Sequence, residues 1–171
     1  IPGTTDGLVK SILERESGLN TSEFGLGMNP EFLREGNAIK DFMNPDRIVF
    51  GCEDELILRK FKEIYKPWNC QKLIVNSRTA EFIKYASNAI IASQISLSNE
   101  ISNLANEITR IDMHKVLEAV HADNRWSPNI NGTIIKPEIL SYQYPGCGFG
   151  GSCFPKDIEA LLALGNNFNQ S

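Results

Sequence analysis

The sequence predicts an α/β region over residues 1–77, followed by an all-α region over residues 78–171. Before residue 78, short apolar runs typical of strands alternate with segments whose apolar residues recur at helical spacing. From residue 79 to about 110 there is no glycine or proline, and Ile90, Leu97 and Leu104 recur every seven residues. That stretch predicts one long helix, so the architecture changes near residue 78.

In the first region we expect three strands and two helices. Leu8, Ile12 and Leu13 share a helical face behind a threonine that can cap the helix, and Pro67 stops the second helix. The predicted elements are a helix over residues 5–16, a glycine-interrupted strand over 23–30, a strand over 46–52, a helix over 53–65 and a strand over 71–76.

The second region is predicted to be helical, with one irregular part. A helix over residues 79–110 would be about 48 Å long, too long for the remaining chain to cover. It is either a core helix of a larger protein or a helix packed against its copy in a second subunit, and we favour a homodimer through residues 79–110. A helix over 112–122, an irregular stretch over 123–144, a glycine-rich loop and a helix over 154–164 complete the prediction.

Composition excludes several classes of function. The formal net charge of −4, the pI near 5.3 and the absence of a basic block argue against nucleic acid as a partner. No apolar run approaches the roughly 20 residues of a membrane span, and we see no signal peptide. The four cysteines form no C-x-x-C pair, so we expect no metal site and reduced thiols in a cytoplasmic protein. The opening "IPGTT" resembles the exit from a strand, so we expect a fragment of a longer protein.

The stretch "GCGFGGSCFPKD", residues 146–157, is the first candidate for chemistry. A cysteine at a helix start lies near unpaired backbone N–H groups, which favour the thiolate, and Pro155 fits a first helical turn. Asp157 follows Cys153 by four residues and so lies on the same helical face. The alternative is a structural cysteine behind a flexible loop.

Two more pairs occur at the same helical spacing. Lys84 and Asn88 could aim an ammonium and an amide at one developing oxyanion, or Lys84 could simply extend to solvent from an apolar helix. Glu31 and Glu35 follow the first strand, where paired carboxylates on a solvated turn are common. Together with the cysteine, these side chains suit the covalent oxidation of an aldehyde.

Three segments closely resemble the UDP-glucose/GDP-mannose dehydrogenase family: "NPEFLREGNAIKDFMNPDRIVFG", "AEFIKYASNAIIASQISLSNEI" and "GFGGSCFPKDIEAL". The resemblance implies the later part of a Rossmann-type NAD-binding domain over residues 1–77 and a helical middle domain over 78–171. It implies oxidation of a UDP-sugar alcohol to a carboxylate with NAD, through a cysteine-bound intermediate. The "GGSCFPKD" form is most similar to the UDP-glucose branch.

The resemblance also implies residue roles. Cys153 corresponds to the nucleophile, Lys84 to an oxyanion-stabilising ammonium, Asn88 and Asp157 to a pair that holds water, and Glu31 to an acid in thioester hydrolysis. Glu35 and Cys153 correspond to positions beside the cofactor, and Arg125 to an arginine that reaches the partner's site. The implied substrate contacts are Phe32, Leu33, Glu35, Arg125, Tyr142, Tyr144, Gly148, Phe149 and Gly150.

The sequence departs from the family in several places. The G-x-G-x-x-G turn that opens the family's NAD domain and the C-terminal domain are missing, so we expect this chain alone to be inactive. The loop between Arg125 and Cys153 is longer than expected. Cys147 replaces a residue that is usually not cysteine, and a packed thiol is expected there rather than a second nucleophile. The alternatives are a non-catalytic chain that dimerises or binds a nucleotide sugar, and a dehydrogenase for GDP-mannose or a UDP-N-acetylhexosamine.

Overall fold

The structure, a computed structural model, describes residues 1–170, which form two compact units. The first unit holds residues 1–86 and the stretch from residue 160 onward, and the second holds residues 87–159. In chain order, the elements that begin in the first unit are a π-helix (Thr4–Val9), α1 (Lys10–Ser17), α2 (Thr21–Phe24), α3 (Ala38–Met43), β1 (Arg47–Gly51), α4 (Glu55–Ile64), β2 (Gln71–Val75) and α5 (Ser77–Glu107).

The core of the first unit is a parallel pair of strands joined by α4. In the pair, Arg47 lies opposite Gln71, and the register continues to the strand ends. Val49 and Phe50 are fully buried, and the Phe50 ring stacks on Phe61 of α4 at a centroid distance of 5.0 Å. The predicted strands over 46–52 and 71–76 and the helix over 53–65 are therefore confirmed. Parallel strands need such a crossover, which is why a helix lies between them.

The strand expected over residues 23–30 is wrong. Asn20 and Glu23 form a capping box that starts α2, so the beginning of this stretch is helical. The remainder makes a single antiparallel bridge, between Met28 and Gly51. A Cβ added at Gly27 would lie 2.6 Å from the Phe61 ring, so glycine is required here for close packing against α4 rather than as an interruption of a strand.

The second unit contains the greater part of α5 and most of the shorter helices of the all-α region. Its further elements are α6 (Met113–His121), the hairpin strands β3 (Asn129–Ile130) and β4 (Thr133–Ile134), a 3-10 helix (Glu138–Gln143) and the start of α7 (Cys153–Asn167). The long helix is confirmed at 31 residues. The hairpin was not expected; Asn131 and Gly132 turn it with positive φ angles of 51° and 84°, a combination that favours tight hairpins.

One apolar row of α5 is exposed. Ile90, Leu97 and Leu104 are 61%, 62% and 61% exposed, and Ile101 and Ile108 are about half exposed. An apolar row of this kind marks a surface suited to an interaction partner. None of the helices formed by residues 1–170 combines the length and apolar character needed to cross a membrane.

The buried carboxylate of Glu81 fixes the start of the chain on α5. One of its oxygens accepts hydrogen bonds from the backbone N–H and the hydroxyl of Thr5, at 2.7 and 2.6 Å. The other oxygen accepts from the backbone N–H of Gly3 at 2.6 Å. Because Glu81 is only 4% exposed, these three donors replace the water that the carboxylate gives up on folding.

We predict that Glu81→Gln destabilises the fold by about 2–3 kcal/mol, because an amide N–H₂ then faces a donor that has lost its acceptor. The free energy of unfolding from urea titration measures the loss. Glu107→Gln at the exposed end of α5 is the matched control and should change stability by less than about 0.5 kcal/mol. Equal effects of the two substitutions would contradict the importance of the Glu81 contacts.

Candidate active site

Cys153 is the first residue of α7, and its side chain is exposed. Its sulfur lies 3.7 Å from the Ser152 hydroxyl. Gly148 and Gly151 have φ angles of +92° and +74°, a left-handed backbone that favours glycine. The sequence placed a helix start directly after this cysteine, and the structure starts the helix at the cysteine itself. The thiol is therefore presented at the first turn of a helix, at the end of an open loop.

Asp157 lies one turn into α7 and is buried at 3% exposure. Its Oδ2 accepts a hydrogen bond of 2.6 Å from the Asn88 side-chain amide, and its Oδ1 lies 3.0 Å from the Lys156 ammonium. The second unit thus joins two residues that lie on separate sequence motifs and that the family resemblance implies as a pair. A buried carboxylate held by an amide and an ammonium is fixed in position and can orient a polar ligand.

Lys84 and Glu31 form an ion pair in the first unit. The ammonium lies 3.1 Å from Glu31 Oε2, with the Lys84 side chain 18% and the Glu31 side chain 54% exposed. The other Glu31 oxygen accepts a hydrogen bond of 2.9 Å from the backbone N–H of Leu33. The lysine therefore does not extend freely into solvent, and two motifs that lie 53 residues apart in sequence meet.

Arg47 is a residue that the sequence analysis missed. Its guanidinium carbon lies 4.1 Å from the centroid of the Phe32 ring, and the Lys84 ammonium lies 5.8 Å from the same centroid. Cations attract the π face of an aromatic ring at these distances. The sequence did offer a signal for Arg47, because it is a charged residue at the first position of a buried strand. Such a side chain needs a partner close to the end of the strand.

A second ion pair shapes the turn that carries Glu35. Arg34 donates to Asp41 through its backbone N–H, its Nε and its Nη2, at 3.0, 2.9 and 2.8 Å. These hydrogen bonds hold the pKa of the Asp41 carboxyl at about 2, below its ordinary value of 3.8. Glu35 itself is exposed on this turn.

Other predicted substrate residues lie in the second unit, in different surroundings. Arg125 donates to Asp123 from Nε and Nη2 at 2.9 and 2.7 Å, with 85% of its side chain exposed. This contact lowers the pKa of Asp123 to about 2 and raises the pKa of Arg125. Tyr142 and Tyr144 are partly exposed, and Phe149 meets Phe154 edge to face at 6.4 Å. The structure thus pairs Arg125 with its near neighbour.

The second unit also holds a cavity of about 360 Å³ that sequence reasoning did not anticipate. The Tyr144 ring packs against the rings of His114 and His121, with a centroid distance of 5.5 Å in each case. His121 and Tyr144 line the cavity. Ser127 also lines it, and its buried hydroxyl has no hydrogen-bond partner within residues 1–170. The cavity walls come from α6, β4 and the 3-10 helix. The sequence of residues 123–144 shows no helical or strand periodicity, so it did not predict these walls.

The chain matches two models from one enzyme family. Residues 1–69 match the NAD binding domain and residues 78–171 match the central domain of the UDP-glucose/GDP-mannose dehydrogenase family. The chain is therefore part of a class of proteins that bind NAD, as the sequence resemblance implied. It belongs to the UDP-glucose/GDP-mannose dehydrogenase family.

Individual relatives agree with this assignment. UDP-glucose 6-dehydrogenase TuaD of Bacillus subtilis is 39% identical over 164 residues, which are 96% of this chain and 32% of the relative. A UDP-glucose dehydrogenase structure from Pyrobaculum islandicum matches 99% of this chain and 36% of its own, with 40% identity and a TM-score of 0.81. A GDP-mannose dehydrogenase structure from Pseudomonas aeruginosa matches with 33% identity and a TM-score of 0.66, over 100% of this chain and 37% of its own. The chain thus spans about a third of each relative's length.

The residues present fit part of the NAD cofactor. A polar cavity of about 250 Å³ lies where β1 and β2 end, lined by Asp6, Glu53, Asn76, Ser77 and Arg78. Carboxylate and amide side chains at the carboxyl ends of parallel strands suit ribose hydroxyl groups. Residues 1–77 hold no G-x-G-x-x-G turn for the diphosphate; the match to this pattern at residues 146–151 lies in the loop before Cys153, outside the residues that match the NAD binding domain. Within residues 1–170, no group of three or more His, Cys, Asp or Glu side chains is arranged to hold a metal ion.

We predict that Arg34→Gln raises the pKa of Asp41 part of the way from about 2 towards 3.8, because the side-chain donors are lost while the backbone N–H remains. The folded pKa is below the ordinary one, so this pair stabilises the fold above about pH 3.8 and the contribution is lost as the pH falls towards about 2. Carboxyl chemical shifts across an acid titration measure it. An unchanged Asp41 midpoint in Arg34→Gln would contradict the assignment.

Proposed function

We propose that this chain is the catalytic part of an NAD-dependent UDP-glucose 6-dehydrogenase, which converts UDP-glucose to UDP-glucuronate. The observation that carries the proposal is the exposed Cys153 at the start of α7, one turn before a buried Asp157 that is bonded to Asn88. The relatives named UDP-glucose 6-dehydrogenase support the choice of reaction. The activity belongs to the whole protein rather than to residues 1–171 alone.

In the proposed reaction, Cys153 forms and loses a covalent bond to C6 of the sugar. NAD, when bound, supplies the chemistry of hydride acceptance in each of two oxidations. After the alcohol becomes an aldehyde, the Cys153 thiolate attacks its carbonyl carbon and gives a thiohemiacetal. Loss of a second hydride gives a thioester, and water then releases the carboxylate and regenerates the thiol. Exposure of the thiol at a helix start suits the first attack, since no side chain must move to free it.

Lys84 is proposed to stabilise the oxygen that becomes negative when Cys153 attacks and when water attacks. Its ammonium is largely shielded from solvent, and a charge in such surroundings acts more strongly than one in water. Glu31 accepts the Lys84 ammonium at 3.1 Å and is half exposed, and we propose that it accepts a proton in thioester hydrolysis. The Arg47 guanidinium lies 4.1 Å from the ring centroid of Phe32, the residue directly after Glu31.

Asn88 and Asp157 are proposed to hold the water that hydrolyses the thioester. Their mutual hydrogen bond fixes both groups, and a fixed amide and carboxylate can orient one water molecule at low entropic cost. That Lys84 and Asn88 act in one reaction is a proposal that follows the family resemblance.

The remaining roles are proposals that follow the family resemblance. Leu33, Glu35 and Phe32 would contact the substrate from the turn after Glu31, with Glu35 and Cys153 beside NAD. The glycine loop would contact the nucleotide sugar through Gly148, Phe149 and Gly150, and Tyr142 and Tyr144 precede it. We assign residues 1–77 to the NAD-binding domain and residues 78–171 to the middle domain, in a cytoplasmic enzyme.

The nucleotide sugar itself is the least constrained part of the proposal. A GDP-mannose 6-dehydrogenase of Azotobacter vinelandii is 37% identical over 94% of this chain, so GDP-mannose is the second candidate substrate. Comparing NADH production with UDP-glucose and GDP-mannose in the full-length protein distinguishes the two. Turnover with neither would favour a non-catalytic binding or dimerisation chain.

We also propose that two copies associate through α5. The exposed row Ile90, Leu97 and Leu104 is the apolar surface that such a contact would cover. In a two-fold dimer the same surface of both copies forms the contact, so the row on one copy is buried by the equivalent surface of the other. Arg125, whose side chain is 85% exposed, would then be available to reach the substrate of the partner.

We predict that Cys153→Ser in the full-length protein lowers acid production by roughly 10⁴-fold or more, because a serine hydroxyl is a poor nucleophile near neutral pH. NADH absorbance with UDP-glucose measures turnover, and UDP-glucose binding should persist in calorimetry. The half-buried Cys70 gives the matched control, since Cys70→Ser removes a thiol elsewhere and should retain activity. Near-normal turnover of Cys153→Ser would refute the nucleophile.

We predict that Leu97→Asp converts a dimer of this chain into a monomer, because two carboxylates would meet in an apolar contact without cations to pair them. Light scattering after size exclusion should give twice 19.1 kDa for the parent chain and 19.1 kDa for the variant. Leu162→Asp, at an equally exposed leucine of α7, is the control and should leave the mass unchanged. A monomeric parent chain would contradict dimerisation through α5.

A further inference from the structure

Cys147 is an exposed thiol that the proposed reaction does not use. The expectation of a packed thiol is therefore wrong. The reason is local: the Gly146 N–H donates to Asn99 Oδ1 at 2.9 Å, but Cβ atoms added at the flanking Gly146 and Gly148 would meet no other atom within 4 Å, so open space lies on both sides of Cys147. The exposed Cys153 follows after five residues, so the loop presents two accessible thiols close together in sequence.

The segment between these thiols is suited to bring them into contact. Three of the five intervening residues are glycines, which have the least restricted backbone of all residues. A Cβ at Gly150 would also meet no atom within 4 Å, so open space surrounds Gly150, whereas the neighbouring Phe149 ring meets Phe154 edge to face. A disulfide needs Cα atoms about 4.4–6.8 Å apart, a separation that a five-residue segment rich in glycine can span.

We propose that Cys147 is a resolving thiol, which captures oxidised Cys153 as an intramolecular Cys147–Cys153 disulfide. The other cysteines are less accessible: Cys52 is buried, where burial raises the pKa of its thiol, and Cys70 is half-buried. Of the four cysteines, Cys147 and Cys153 are the two exposed ones, and exposed thiols beside a second cysteine are the usual sites of reversible oxidation.

The oxidant is a hydroperoxide, and the step balances in two stages. The Cys153 thiolate attacks one peroxide oxygen, the O–O bond breaks, and the sulfur becomes a sulfenic acid while water or an alcohol leaves after protonation. The Cys147 thiol then attacks the sulfenic sulfur, the S–S bond forms and a second water leaves. Two thiols are oxidised to one disulfide, and one hydroperoxide is reduced.

The consequence for the enzyme rests on the proposed function. A disulfide removes the Cys153 nucleophile, so turnover stops, and a dithiol reductant restores it. Without a resolving thiol, further peroxide converts the sulfenic acid to sulfinic acid, which such a reductant does not reverse. Cys147 would thus turn irreversible damage of the nucleophile into reversible inhibition.

The chemical test uses the chain as it is. No lysine or arginine lies between Cys147 and Cys153, so trypsin leaves both thiols in one peptide. After mild hydrogen peroxide and alkylation with N-ethylmaleimide, we expect this peptide unlabelled and lighter by two hydrogen atoms, and labelled twice after prior reduction. In Cys147→Ser we expect sulfinic acid at Cys153, whereas the control Cys70→Ser should behave as the parent chain.

A disulfide that links two chains, a disulfide to Cys70, or a Cys153 equally protected from overoxidation in Cys147→Ser would overturn the proposal. In the full-length protein, the activity recovered with dithiothreitol after peroxide is compared with the starting activity of the same variant. We expect near-complete recovery for the parent and at least about tenfold less for Cys147→Ser. If the enzyme proves inactive, peptide masses still decide for or against the disulfide, so the two proposals fail separately.

Discussion

The hydrogen bond between the Asn88 amide and the Asp157 carboxylate is the contact on which the proposed chemistry depends most. Asp157 is buried, and a buried carboxylate is costly unless charged or polar groups replace its water. Asn88 and Lys156 do so, which fixes the first turn of α7. Because Cys153 begins that turn, the position of the thiol follows from a buried polar contact rather than from packing of the cysteine itself.

Several polar side chains of α5 are bonded to distant parts of their own unit, and three of them come from the residues that the fold and the proposed chemistry use. Glu81 holds the backbone of Gly3 and Thr5, Lys84 holds Glu31, and Asn88 holds Asp157. Glu81 and Lys84 both belong to the first unit, and an uninterrupted helical turn keeps the separation of their Cα atoms fixed.

The glycine loop combines accessible thiols with a backbone that requires glycine at particular positions. Positive φ angles at Gly148 and Gly151 explain why glycine stands at those positions, and the absence of neighbouring atoms leaves Cys147 and Cys153 accessible. Access serves a substrate that must reach the thiol, but it also exposes the thiol to oxidants. A second thiol on the same loop can protect Cys153 from irreversible oxidation. Packing could protect it only by closing the site to the substrate.

The sequence by itself determined the parts whose signal is local. Hydrophobic period predicted β1, α4, β2, α5 and α6, and the three family motifs identified the fold and NAD, because these patterns repeat or recur within a few residues. Contacts between distant residues could not be derived in this way. The stretch over 23–30 is not a strand, because it begins in a capping box and its Gly27 packs on Phe61. The Arg47–Phe32 stack and the cavity beside Ser127 were not anticipated either. Only the tertiary structure decided that Glu31 meets Lys84, that Asn88 meets Asp157 and that Cys147 is exposed, because such pairings depend on where the folded chain returns rather than on residue spacing.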